Sequence, residues 1–287
     1  MKKQGCFILF HFLLSVFAFG KTMTLQEAVQ QKCVSPTITR HVNPAGDSRN
    51  FYLSLKNLTK EPLNIIVPVG FVFKAVDSTV QDFIHLENQE LAVAALATSA
   101  LFVKAMCIRA SRRCPSEGNT FLAAGLASPN LLALTTFAWA QKLYDKNGMQ
   151  SALWALSDND DLVGISDPKL VQFVAQRIGK PVPEYTVRYE NREIPGETAA
   201  LSLKPLEIKT TFQYTLPTDQ QVKLDLVDTA GKSVLAEYNL VQTMNQTKGR
   251  HRFSLTLELT GVPRGTYSMK MTSTNDGKEW ASKQVIF

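Results

Sequence analysis

Thr210-Thr211-Phe212-Gln213-Tyr214-Thr215-Leu216-Pro217, then Gln221-Val222-Lys223-Leu224-Asp225-Leu226-Val227-Asp228 and the turn Thr229-Ala230-Gly231-Lys232, decide the fold of the C-terminal part of this chain. Val222, Leu224 and Leu226 alternate with Lys223, Asp225 and Val227. A period of two puts one row of side chains into a core and the other into water. Ser233–Leu240, Arg252–Leu259, Gly265–Thr272 and Trp280–Phe287 read as further strands between turn residues. Several short strands at such spacing predict an all-β, immunoglobulin-like β-sandwich over 183–287.

Upstream, Gly179-Lys180-Pro181-Val182-Pro183 reads as a linker, because two prolines in three residues stop a helix and favour extended chain. Before it lies helical spacing. Pro168–Ile178 has Asp167 as its cap, Pro168 in its first turn and Gly179 at its end, with Leu170, Phe173, Val174 and Ile178 on one face. Met149–Leu156 and Asn130–Tyr144 are two more helices, the latter with Asn130 as cap, and the apolar Phe121–Leu126 falls in the same helical region. From Asn50 to about Cys107 the pattern is β-like. Phe51, Leu53 and Leu55 alternate with polar neighbours, residues 57–62 form a turn, and Leu63–Val69, Phe71–Phe73, Gln81–Leu86 and Ala100–Ile108 continue the pattern. Residues 22–50 read as a short lead-in. Thr24 and Glu27 have the spacing of a capping box, and Pro36, Pro44 and Gly46 stop any long helix. The fold expected is α+β: a mixed domain at 21–180, part β-sandwich-like and part helical, followed by the sandwich at 183–287.

Residues 1–20 have the layout of a secretory signal peptide. Lys2 and Lys3 form the positive start, Cys6–Phe19 is apolar apart from His11 and Ser15, and Ala18 and Gly20 stand at the −3 and −1 positions of a cleavage site before Lys21. The apolar run is short for a membrane anchor. The reading is therefore extracytoplasmic: secreted or cell-surface, with the periplasm as the alternative, and contact with a membrane only during export.

The chain is 45% hydrophobic and 20% charged, the composition of a globular protein rather than a disordered one. Its net charge of +6 is spread out, and its tightest cluster, Arg109, Arg112 and Arg113, reads as a solvated loop. Nucleic-acid binding needs a longer basic stripe with interleaved aromatics, so it is not expected. Loss of Cys6 with the leader leaves Cys33, Cys107 and Cys114 as disulfide candidates. With an odd number, either Cys107–Cys114 pair and Cys33 stays reduced, or Cys33–Cys114 pair and Cys107 is kept for chemistry.

Taken in order, Tyr214-Thr215-Leu216-Pro217, Val222–Lys232 and Gly261-Val262-Pro263-Arg264-Gly265-Thr266-Tyr267 resemble two families. One is the immunoglobulin-like modules of the flagellar hook-capping protein; the other is the C-terminal sorting domains of the type IX secretion system of Bacteroidetes. In both, a strand ending Tyr-x-Leu-Pro precedes an Asp-x-x-Gly-Lys turn and a later Leu-Pro-x-Gly-x-Tyr turn; here Val262 replaces the Leu. The resemblance covers roughly residues 200–287. It implies contact with secretion machinery, although the Pro-Asn-Pro element of many sorting domains is absent and Lys204-Pro205 is its nearest equivalent. A plain sandwich module fits the same residues. Gly231 and Gly265 are expected at positive φ, and Tyr267 is expected to pack its ring in the core while its hydroxyl bonds a loop.

Ala105-Met106-Cys107-Ile108 and Met149-Gln150-Ser151-Ala152-Leu153-Trp154 resemble the thioester domains of bacterial surface adhesins. That resemblance implies Cys107 as sulfur donor, Gln150 as acyl donor and Trp154 as a shield against water. Core packing of Met149, Leu153 and Leu156 explains the same helix without chemistry.

No other constellation carries chemistry. His41, His85 and His251 lack metal-ligand spacing, Asp158-Asn159-Asp160-Asp161 lacks the Gly of a calcium loop, and no Gly-x-Ser-x-Gly, Walker loop or catalytic carboxylate pair is present. The expectation is a non-enzymatic exported binding or adhesion protein without cofactor or metal, whose partner is a protein or glycan on a cell surface. The alternatives are a covalent adhesin with a Cys107–Gln150 thioester, and a structural or assembly subunit of the cell envelope.

Overall fold

The computed structural model describes residues 20–40, 51–145, 148–190, 204–237 and 242–287. The expected leader, Gly20 excepted, falls outside these residues, as do His41, Pro44 and Gly46.

The chain is strand-rich and sandwich-like, with four sheets among the described residues. The N-terminal part runs β1 (Lys21–Thr24), α1 (Leu25–Gln30), β2 (Val34–Arg40), β3 (Phe51–Asn57), β4 (Leu63–Val67), β5 (Phe71–Ala75), β6 (Asp82–His85), β7 (Gln89–Val93), β8 (Thr98–Val103), β9 (Ala105–Ile108) and β10 (Thr120–Leu126). Strands β8-β3-β2-β10-β5-β6-β9 form an antiparallel sheet, and β1-β4-β7 a smaller one in which β1 lies parallel to β4. The period of two in β3 is realised: Phe51, Leu53 and Leu55 are fully buried. The Phe51 ring lies 4.1 Å from Phe83, 4.7 Å from Phe121 and 5.8 Å from Phe73. Each such ring contributes about 2–3 kcal/mol of burial energy. The turn after β3 is built by the buried Asn57. Its Nδ2 donates to the carbonyls of Glu61, Val93 and Ala94, and its Oδ1 accepts from Thr59 N.

Three helices follow: α2 (Pro129–Ala140), α3 (Met149–Asp158) and α4 (Pro168–Ile178). They cover the face of β6 and β9 opposite the aromatic core, where Ile84 and Ile108 meet Leu134, Met149, Leu153, Leu170 and Val174. β6 and β9 are thus apolar on both faces. Asp167 caps α4 as expected, accepting from Lys169 N and Leu170 N, and Thr24 and Glu27 form the capping box of α1.

The C-terminal part runs β11 (Tyr185–Tyr189), β12 (Pro205–Leu216), β13 (Gln220–Val227), the one-turn α5 (Val234–Glu237), β14 (Gln242–Gln246), β15 (Gly249–Glu258), β16 (Thr266–Ser273) and β17 (Glu279–Ile286). Sheets β11-β12-β15 and β14-β13-β16-β17 enclose a core that includes Phe212, Leu224, Leu226, Leu257, Met269 and Val285. Tyr267 does what its motif suggests: it stacks 5.0 Å from Phe287 and its hydroxyl donates to Pro263 O at 2.7 Å.

Several local expectations are corrected. Phe121–Leu126 is strand β10, not helix, because Phe121 completes the aromatic core while the bulge at Gly125 lets the chain pass Gln26. The stretch 22–50 is more than a lead-in, since β2 lies inside the large sheet with Pro36 opposite Leu55. Ser128, not Asn130, stands at the start of α2. Val234–Glu237 is a helical turn within an expected strand. Gly231 has φ +80°, but Gly265 lacks a positive φ; it pairs with Phe287 and lies under the Tyr267 ring.

Candidate functional site

The two segments singled out for thioester chemistry do meet. β9 is an edge strand, and α3 runs along it. Gln150, in the first turn of α3, donates its Nε2–H to the main-chain carbonyl of Cys107 at 2.7 Å. Arg109 N and Ala110 N, just past the strand, donate to Ser157 Oγ and Asp158 Oδ2 at the other end of the helix. These contacts satisfy polar groups that an uncovered sheet edge leaves open.

The Cys107 thiol faces the other way. Side chains alternate along a strand: Ala105 and Cys107 lie in the aromatic core with Phe83, while Met106 and Ile108 face the helices. The carboxamide of Gln150 therefore touches the backbone of Cys107, and the sulfur of this buried residue lies across the sheet from it. Acyl transfer needs the attacking atom held against the carbonyl carbon. Trp154, one turn beyond Gln150, packs on Ala110 and Cys114, and its indole Nε1 finds no acceptor among the described residues.

The expected disulfide is not formed: Cys33, Cys107 and Cys114 are all outside any disulfide. Cys107 lies in the aromatic core, against which the half-buried Cys33 also packs with its Sγ 3.8 Å from Gln31 O, and Cys114 lies beside Trp154 with Gln81 Nε2 3.7 Å from its sulfur. The arginine cluster is also not simply solvated. Arg109 and Arg112 lie 3.5 Å and 3.7 Å from the buried carboxylate of Asp82, and Arg113 lies 3.3 Å from Asp77. Asp82 Oδ1 also accepts from Ala75 N, so this acid ties the loop after β9 to the sheet.

Asp158–Asp161 holds main chain: Asp158 accepts from Ala110 N, Asp160 from Asp161 N, and Asp161 from Val163 N. The described histidines stand apart. His85 is buried, with Nδ1 3.1 Å from Pro68 O and Nε2 3.0 Å from Gln89 Oε1, whereas His251 stacks on Tyr214.

A cleft that no single motif announced opens between α3 and β11, with a volume of about 400 Å³. Gln150, Ser151 and Trp154 line one wall and Arg188, Tyr189 and Glu190 the other. Val163, ahead of α4, joins the core of the C-terminal sheets and accepts a hydrogen bond from Val187 N at 2.7 Å, which locks the two walls together. Two glycines allow the close approach. Gly148 has φ +95° and a Cβ there would lie 2.7 Å from Ser166 N; a Cβ on Gly164 would lie 2.7 Å from Ser151 Oγ. Burial, and then the charge of Asp161, push the Tyr189 hydroxyl well above its ordinary range, so it stays a neutral donor at physiological pH. Arg264 lies over its ring at 5.8 Å, and Arg188 lies 3.7 Å from Glu207.

No family model and no curated protein matches this chain.

What the cleft can do rests on its chemistry. It offers ring surface, a carboxamide, a serine hydroxyl, a phenol, a guanidinium and a carboxylate, donors and acceptors in close alternation. Such a set satisfies a neutral ligand rich in hydroxyl groups, and its size falls within the range of small-ligand sites. Sequence reading reached Gln150 and Trp154 through the thioester resemblance. It missed Arg188, Tyr189 and Glu190, whose strand follows the linker and carries no motif.

Proposed function

We propose that this chain is an exported, non-enzymatic binding protein whose cleft between α3 and β11 takes a hydroxylated ligand, a glycan of a cell surface. The cleft carries the reading: aromatic and alternating polar groups converge in one depression, with Gln150 and Ser151 facing Tyr189 and Glu190. The signal-like residues 1–20 support export. The order β11-β12-β15 against β14-β13-β16-β17, with the Tyr267–Pro263 bond at its corner, supports an immunoglobulin-like module, and its resemblance to sorting domains supports delivery through residues 200–287.

The test is binding of the chain from Lys21 onward to a panel of soluble glycans and of surface proteins. Saturable glycan binding that Tyr189→Ala weakens at least tenfold supports the reading. Binding only to proteins, binding indifferent to Tyr189→Ala, or turnover of the glycan overturns it. Deleting residues 200–287 should strand the protein in the periplasm; unchanged surface delivery removes the sorting role.

A covalent version of this reading rests on the 2.7 Å contact between Gln150 and Cys107. It requires β9 to turn its thiol towards α3, so that sulfur replaces the nitrogen on the Gln150 carbonyl and ammonia leaves. A mass one ammonia below that of the sequence, restored by methylamine, identifies it; a full mass excludes it.

A further inference from the structure

We propose that the face formed by α2 and α4 seats the protein on an anionic lipid bilayer surface. A surface helix ordinarily keeps a polar outer face, but α2 carries no charged residue over its whole length, Pro129–Ala140. Its outer side forms an apolar groove of about 560 Å³ lined by Ala127, Pro129, Leu132, Ala133, Phe137 and Ala140. Leu122 and Leu126 on β10, the strand that precedes α2, are 59% and 53% exposed.

The charges around the groove identify the partner. Lys142 follows α2 directly. Lys169 Nζ lies 3.3 Å from Gln141 Oε1 at the end of α2. The Arg177 guanidinium lies 5.2 Å over the Phe173 ring, which itself stacks 4.4 Å from Phe137 in the groove. Lys180 is exposed just past α4. Residues 129–144 and 168–183 contain no Asp or Glu at all. The carboxylates that flank them are engaged: Asp167 caps α4, Asp145 pairs with Lys104, and Glu184 pairs with Lys283. An apolar groove with stacked aromatics and a rim in which Lys142, Lys169, Arg177 and Lys180 outnumber the unpaired carboxylates complements acyl chains beneath phosphate headgroups. A second copy fits worse, because a two-fold contact would set the same cations against one another. Among the described residues no helix is long and apolar enough to cross a membrane, so the contact is peripheral. It departs from the expectation that membranes matter only during export, and it is independent of what fills the cleft.

The experiment is cosedimentation of the chain from Lys21 onward with vesicles of phosphatidylcholine alone, and with vesicles of equal parts phosphatidylcholine and phosphatidylglycerol. Binding is expected only to the mixed vesicles and is expected to fall in high salt. The double variant Lys169→Gln/Arg177→Gln should weaken it about twentyfold to thirtyfold, at about fivefold per cation. Thr136→Glu, at an exposed position that lines the groove, should abolish it while circular dichroism stays unchanged. The proposal is overturned if the wild-type chain stays in the supernatant with mixed vesicles or sediments equally with both kinds. It is also overturned if the variants bind as the wild type does, or if the chain is a dimer that Thr136→Glu dissociates.

Discussion

Replacing Gln150 by Ala removes the donor that ties the start of α3 to the carbonyl of Cys107. The bond is short, 2.7 Å, and part-buried. A hydrogen bond of this kind contributes about 0.5–1.5 kcal/mol net. Water reaches the half-buried position and Ala is the better helix former, which together offset a few tenths of a kcal/mol. Gln150→Ala should therefore cost about 0.5–1 kcal/mol. Gln150→Glu should cost more at neutral pH, because a carboxylate oxygen then faces the carbonyl and cannot donate. That contact favours the protonated acid and raises its folded pKa, so the penalty is present at neutral pH and relaxes as pH falls towards the ordinary Glu range, about 4.3. Urea unfolding followed by tryptophan fluorescence reads both variants, since Trp154 lies one turn away on the same helix. Intact mass belongs in the same experiment: a wild-type chain of full mass, with the two variants ordered as stated, supports the tie. A wild-type mass short by one ammonia, recovered with methylamine and lost in Gln150→Ala, refutes it, because Gln150 is then an acyl donor and β9 has turned.

Other outcomes follow from the same geometry. Asp82→Ala strands the buried Ala75 N–H and removes the partner of Arg109 and Arg112; it should cost about 2–3 kcal/mol by denaturant unfolding, and a cost under half of that would mean the loop after β9 is held otherwise. Burial holds the His85 imidazole below its ordinary range, so between its folded pKa and about 6.5 the unfolded chain binds more protons, and stability should fall as pH drops through that window; an unfolding midpoint higher at mildly acid than at neutral pH contradicts this. Limited proteolysis with a protease that cleaves after glutamate should cut at the exposed Glu184, just past the linker prolines, and leave two folded pieces, despite the Val163–Val187 tie; a single indivisible unit counts against the boundary at 181–183.

What could be read from the chain tracks how locally each feature is encoded. β3 and β16 carry their burial in a plain period of two, which β13 follows except at the buried Asp225, and Asp167, Pro168 and Gly179 delimit α4 within about a dozen residues. β10 was misread because Ala123, Ala124 and Gly125 have neither a β-branched bias nor a clear period, and only its pairing with β5 makes it a strand. β2 hid behind Pro36, whereas β11 falls inside the stretch read as sandwich from 183 on. The partners of the arginine cluster, Asp77 and Asp82, lie about thirty residues upstream and are brought close by the β6–β9 pairing and the Val80–Arg113 bridge beside it. The cleft is likewise a tertiary product. Gln150 and Tyr189 lie on elements that the Val163–Val187 contact helps to bring together, and no short motif encodes such a meeting.

The most direct test of the binding account is hydrogen–deuterium exchange of the chain from Lys21 onward, with and without a saturating amount of the tightest-binding glycan from the panel. Slowed exchange confined to residues 148–154 and 187–190, the two walls of the cleft, is the result predicted. Protection at the β15 edge or over α2, with the cleft walls unchanged, would contradict it.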